Sequence, residues 1–182
     1  LADFTAETTP FSAAKVDDFR EILRPGTTVF ITFLPGSDFE DTIAIAARLK
    51  NEGLNPVPHL AARSIPDAAF LDEGLRRLRG EADIDEVLTI AGAVDQPLGA
   101  FSDSMQVLET GLLDKHGIKK VGVAGHPEGS PDMPDEAIAA ALTWKNDFAN
   151  RSGAEVYIVT QFCFEAEPII AWDKAIRAAG NA

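Results

Sequence analysis

The chain has 182 residues, 46% hydrophobic and 25% charged, a size and composition that hold one domain with a sizeable core and exclude a disordered chain. Its formal net charge of −13 excludes nucleic acid and an anionic membrane surface as main partners, yet leaves room for an anionic small molecule held by a few local cations. The single cysteine, Cys163, excludes an internal disulfide framework, and no run approaches the roughly 20 apolar residues of a membrane span, so a cytoplasmic protein is expected.

In chain order, a strand is expected over 2–8 and an amphipathic helix over 13–24. The pair recurs as strand 28–34 with helix 39–52, strand 56–62 with helix 66–80, and strand 87–93 with helix 102–115. Strand 120–125 with helix 135–150 and strand 156–164 with helix 166–179 complete the series. Ser37 and Glu40 have capping-box spacing, Pro66 suits a first helical turn, and Pro134 precedes an alanine-rich helix. Gly26, Gly53, Gly80, Gly117 and Gly153 stand where C-terminal caps would. No two-residue hairpin turn joins any pair of strands, so the sheet is expected to be parallel with helical crossovers. Apolar residues on both parities of 29–33 (Val29, Phe30, Ile31, Phe33) predict strands covered on both faces.

Alternating βα units build either an open doubly wound sheet or a closed barrel. The first strand end, Ala6-Glu7-Thr8-Thr9-Pro10, lacks the glycines of a dinucleotide-binding turn. Polar residues and one glycine recur instead at the expected strand ends: Glu7, Thr32, His59, Gly92, His126 and Gln161. Barrel enzymes collect their sites there, so the expected fold is α/β, a (β/α)8 TIM barrel. Such a barrel needs eight strands and about 250 residues. With six units, 1–182 is expected to be a single barrel domain lacking its last two units, with sequence also missing before Leu1.

Read singly, each of these residues has a plain alternative. Glu7 suits a general acid if burial holds its proton, or else a solvated loop carboxylate. Thr32 fits strand propensity alone. His59 and His126 suit either a ligand contact or a satisfied internal hydrogen bond. Glu128 reads as a loop charge. Gln161, between Thr160 and Phe162-Cys163-Phe164, is expected to be an amide in a buried strand that needs partners, which either a pterin-like ring or an internal hydrogen bond supplies. Cys163 reads as a small buried hydrophobe, and the three histidines lack zinc-site spacing.

Several of these strings, in order, resemble one family. Thr160-Gln161-Phe162-Cys163-Phe164-Glu165 is similar to the T-Q-F-F-F-D strand of methylenetetrahydrofolate reductases. Pro58-His59-Leu60 resembles the family's P-H-L-T, Ile31-Thr32-Phe33 its S-V-T-Y, Ala6-Glu7-Thr8-Thr9-Pro10 its F-E-F-F-P-P, and His126-Pro127-Glu128 its Y-P-E. The resemblance implies a barrel oxidoreductase of one-carbon metabolism that reduces 5,10-methylenetetrahydrofolate to 5-methyltetrahydrofolate with NAD(P)H through FAD. Glu7 falls on the family's general acid, Gln161 on its pterin-binding residue, and Thr32, His59, Gly92 and His126 on flavin-site positions, with Thr32 also near the substrate. The chain departs from the pattern where L-R-G-D reads Ile90-Ala91-Gly92-Ala93, where a histidine falls on Ser130 and where a lysine falls near Asp147. Those departures weaken the FAD expectation. They leave two alternatives: a flavin-independent relative passing hydride directly from NAD(P)H to the folate, or a non-catalytic folate-binding or partner barrel. A tetrahydrofolate is the expected small-molecule partner, and a homo-oligomer stays open.

Overall fold

Six short parallel strands alternate with helices in the computed structural model, which describes residues 4–181. The elements are β1 (Ala6–Thr8), α1 (Pro10–Ala13), β2 (Thr28–Ile31), α2 (Phe39–Asn51), β3 (Asn55–Ala61), α3 (Ala68–Ala82), β4 (Glu86–Ile90), α4 (Ser104–Glu109), α5 (Leu112–Lys115), β5 (Lys120–Gly125), α6 (Asp135–Ser152), β6 (Glu155–Thr160) and α7 (Ala166–Ala178). The chain divides into two compact units, Leu1–Lys119 and Lys120–Ala182. The protein is α/β, and the start of the expected first strand lies outside the described residues.

In the first unit β1 to β4 pair in chain order, every pair parallel, with Glu7 opposite Phe30, Phe30 opposite Val57, and His59 opposite Leu88. Val29 and Ile31 of β2 and Leu60 of β3 are buried, as are Ile43, Ala46 and Leu49 of α2 and Leu71, Leu75 and Leu78 of α3, and α2 packs on β2, β3 and α3. Removal of this apolar surface from water drives the packing. Burial of β2 alternates: Val29 and Ile31 are buried, Phe30 and Phe33 only half-buried, so the expectation of cover on both faces fails there. β3 comes closer to it, with Pro56 to Ala61 all buried. In the second unit β5 and β6 are parallel, and Val121 and Val123 are buried with Ile138 and Leu142 of α6.

The helix expected over 13–24 does not form. Thr9 caps α1 in a reciprocal box with Ser12, with Pro10 inside the first turn. Asp18 then caps a separate 3-10 turn, Phe19–Glu21. The intervening carbonyls are met from a distance. The Arg48 guanidinium of α2 donates to the oxygens of Ala13 (2.9 Å), Val16 (2.6 Å) and Asp17 (3.0 Å). Its Nε donates to Glu52 Oε1 at 2.8 Å, and Glu52 Oε2 accepts from the Phe19 backbone at 2.8 Å. The span expected to be one helix over 102–115 is broken at Gly111, whose φ of 71° ends α4 and starts α5.

Helix starts also shift by a residue or two. Asp38, not Ser37, caps α2 by accepting from Glu40 N at 3.0 Å. Pro66 lies outside α3, whose cap is Asp67, accepting from Phe70 N at 2.8 Å. Gly80 is inside α3, and the left-handed residue that ends this helix is Asp83, at φ 46°. Gly26 follows the 3-10 segment rather than a helix, whereas Gly53, Gly117 and Gly153 stand in the left-handed conformation just past helices.

Candidate functional site

In a parallel ladder, paired residues share a face and alternate residues repeat on it. The pairing of Glu7 with Phe30 and of Phe30 with Val57 therefore puts Glu7, Thr32 and His59 on one face of three adjacent strands. Thr32 continues the ladder past β2, its N donating to Thr8 O at 2.8 Å. Its hydroxyl donates to Glu7 Oε1 at 2.5 Å. Glu7 is exposed, so the burial on which its sequence-based role rested is not present within the first unit.

His59 lies deeper, 7% exposed, and its ring meets Phe30 edge-on at 6.1 Å between centroids. Among the described residues neither Nδ1 nor Nε2 has a hydrogen-bond partner. Burial pushes the imidazole below its usual pKa, and the nearby Glu7 charge only partly offsets this. The ring is thus neutral at pH 7 and carries one donor and one acceptor, both unspent. Of the two sequence alternatives for His59, the internally satisfied one fails.

Gly92, two residues past β4, has φ 92°, and a Cβ there would lie 3.1 Å from Ala61 Cβ. Neighbouring Ala91 accepts through its oxygen from Arg63 N at 2.9 Å. The Arg63 guanidinium is turned to the following loop, with Nε donating to Ser102 O at 2.9 Å and Nη1 lying 3.4 Å from Val94 O. Ala91 and Ala93 present no charge beside Gly92, and Asp95 is exposed.

In the second unit His126 follows β5 directly and is half-buried. Burial first, and the Lys145 charge second, push its pKa down, so this imidazole is neutral as well. Lys145 is 7% exposed in α6, and its Nζ lies 3.4 Å from Ala124 O. Ser130 accepts from Asp132 N at 3.2 Å, and Asp147 is exposed. A cavity of about 850 Å³ opens between α6 and α7, walled by Ile138, Leu142, Trp172 and Ile176, with His126 and Glu165 at its rim.

Gln161 stands one residue past β6, its N donating to Gly125 O at 2.8 Å. The expectation of a buried amide is wrong for this unit: Gln161 is exposed, and so are Phe162 (86%) and Phe164 (77%). The two phenyl rings pack edge to face at 4.8 Å. Cys163 is half-buried rather than buried. Sequence reasoning missed Glu128. It is no idle loop charge: its Oε1 accepts from Phe164 N at 2.9 Å and Glu165 N at 2.7 Å. The one sequence signal was its place three residues past a strand end, in His126-Pro127-Glu128.

Among the described residues no group of three or more His, Cys, Asp or Glu side chains converges as metal ligands, and no helix is long and apolar enough to cross a membrane. No protein-family model matches the chain.

Proposed function

We propose that the protein is a (β/α) barrel of the methylenetetrahydrofolate reductase type that reduces 5,10-methylenetetrahydrofolate with NAD(P)H. One observation carries the reading: Glu7, hydrogen-bonded by Thr32, shares a sheet face with a buried His59 whose two ring nitrogens are unspent. A buried polar group without a partner costs free energy, and a ring-shaped ligand with its own donors and acceptors would relieve that cost. In the proposed chemistry Glu7 supplies the proton that releases one bridge nitrogen, which opens the methylene bridge to an iminium. Hydride from the reduced nicotinamide adds to the methylene carbon, giving the methyl product and the oxidised nicotinamide. The Thr32 hydroxyl fixes the carboxyl rotamer; for the second unit, taken by itself, the resemblance assigns the Gln161 amide to a pterin edge.

A family member would hold FAD, and the residues fit only part of it. His59 offers hydrogen bonds to a ring. In the first unit the position where the resemblance expects an arginine is Ala91, and Arg63 is spent on backbone oxygens. That donor set does not suit a dianionic diphosphate, which favours the second reading, direct hydride transfer from NAD(P)H to the folate.

The test is NAD(P)H oxidation by the full chain with and without methylenetetrahydrofolate, beside an absorbance scan for flavin bands. Oxidation that depends on the folate supports the reading, and Glu7→Gln should lower turnover by ~10²–10⁴-fold while folate affinity stays. Absence of folate-dependent oxidation with retained folate binding would move the protein to the non-catalytic class. Absence of both would remove the proposal.

A further inference from the structure

We infer that Glu128 is a positioning residue for Gln161, an inference that rests on the folate reading of Gln161. Gln161 belongs to a segment fixed at two points. On one side its own N–H donates to Gly125 O at 2.8 Å, which continues the β5–β6 ladder by one step. On the other, the Glu128 carboxylate receives Phe164 N and Glu165 N on a single oxygen, at 2.9 and 2.7 Å. Glu165 is the N-cap of α7 and makes no side-chain cap bond of its own. Glu128 thus holds the two backbone amides just ahead of the first turn of α7, reaching across 36 residues of sequence. Hydrogen bonds to a charged acceptor are stronger than neutral ones, and an anion at a helix start is further favoured by the helix dipole.

The stretch between the anchors, Gln161 to Cys163, has little else to hold it. Phe162 and Phe164 are 86% and 77% exposed, so apolar burial does not order this segment. The Glu128 carboxylate supplies that order, and with it the direction of the Gln161 amide.

The test uses the full chain and equilibrium binding of 5-methyltetrahydrofolate, read by intrinsic tryptophan fluorescence, together with amide hydrogen exchange. Glu128→Ala is expected to weaken folate binding about tenfold and to speed exchange at Phe164 and Glu165, with affinity for the nicotinamide unchanged. Glu128→Gln keeps one acceptor oxygen and should restore most of the affinity. Gln161→Ala should weaken folate binding at least as much without changing exchange at Phe164. If Gln161→Ala weakens binding and Glu128→Ala leaves it intact, the positioning role is wrong while the folate reading stands. If the unaltered protein does not bind the folate, or Gln161→Ala binds normally, the folate reading of Gln161 falls and this inference falls with it.

Discussion

Replacing His59 by leucine separates what the fold needs from what a ligand would need. The imidazole is 7% exposed, and both ring nitrogens lack partners. Leaving a buried donor or acceptor unmet costs ~1–3 kcal/mol, and a leucine of similar bulk carries neither group. Imperfect shape returns up to ~1.5 kcal/mol of that gain. With two unmet groups, the balance leaves a stabilisation of at least ~0.5 kcal/mol, or a rise in Tm of at least roughly 1–2 °C for a chain of this size. Urea unfolding followed by far-UV circular dichroism at pH 8 gives the number directly. The gain should widen at pH 6, where the unfolded chain takes up a proton that the buried native ring resists. The same variant should lose folate-dependent activity, since stability and function pull this position in opposite directions. A less stable His59→Leu protein at pH 8 would refute the reasoning, because it would mean that the ring nitrogens are satisfied in solution.

Stability should also fall as pH drops. His59 and His126 both have folded pKa values below the ordinary 6.5, so between the two values the unfolded state binds more protons and stability rises with pH. Stability should therefore fall below pH 6.5, more through the buried His59 than through the half-exposed His126, and equal urea midpoints at pH 7.5 and 5.5 would contradict it. Gly125→Ala would place a Cβ 2.5 Å from Ile158 Cγ2 and 2.9 Å from Trp172 Cη2, an overpacking expected to cost ~1–3 kcal/mol in thermal unfolding. An unchanged Tm would mean that Trp172 does not sit against β5. Ala91→Arg should raise flavin occupancy of the purified protein, since one charge-assisted contact amounts to about one decade of affinity at the cautious end. Stoichiometric FAD on the unaltered chain would defeat that argument.

Much of the α/β order was legible because periodicity and glycine placement are local. The long helices α2, α3, α6 and α7 and the six strands fall where the pattern puts them, with ends that match or shift by up to four residues, the expected start of the first strand lying outside the described residues. The first crossover was not legible, because what decides it is not local. Val16, Asp17 and Asp18 read as continuing a helix, and only the approach of Arg48 satisfies their neighbourhood differently. Caps were misassigned by a residue wherever two candidates adjoin, as with Ser37 and Asp38. At the site, the strand-end rule finds Glu7, Thr32 and His59, because parity is written in the sequence. It misses Glu128, whose partners are backbone amides that carry no residue signature. It also overstates the burial of Gln161 and its phenylalanines, since apolar character says nothing of what covers a side chain.

Arg48 bears on how the chain acquires its shape during synthesis. Its guanidinium meets carbonyls 31 to 35 residues behind it. A growing polypeptide exposes Ala13, Val16 and Asp17 well before the arginine is made. Until then the segment between β1 and β2 has no long helix of its own and its carbonyls face water. Residues 13–17 are therefore made before the side chain that satisfies them, and they settle once α2 closes around them. Lysine in place of Arg48 would keep the charge but lose the fork that reaches three oxygens and Glu52 together, and the delay would become a lasting loss of order.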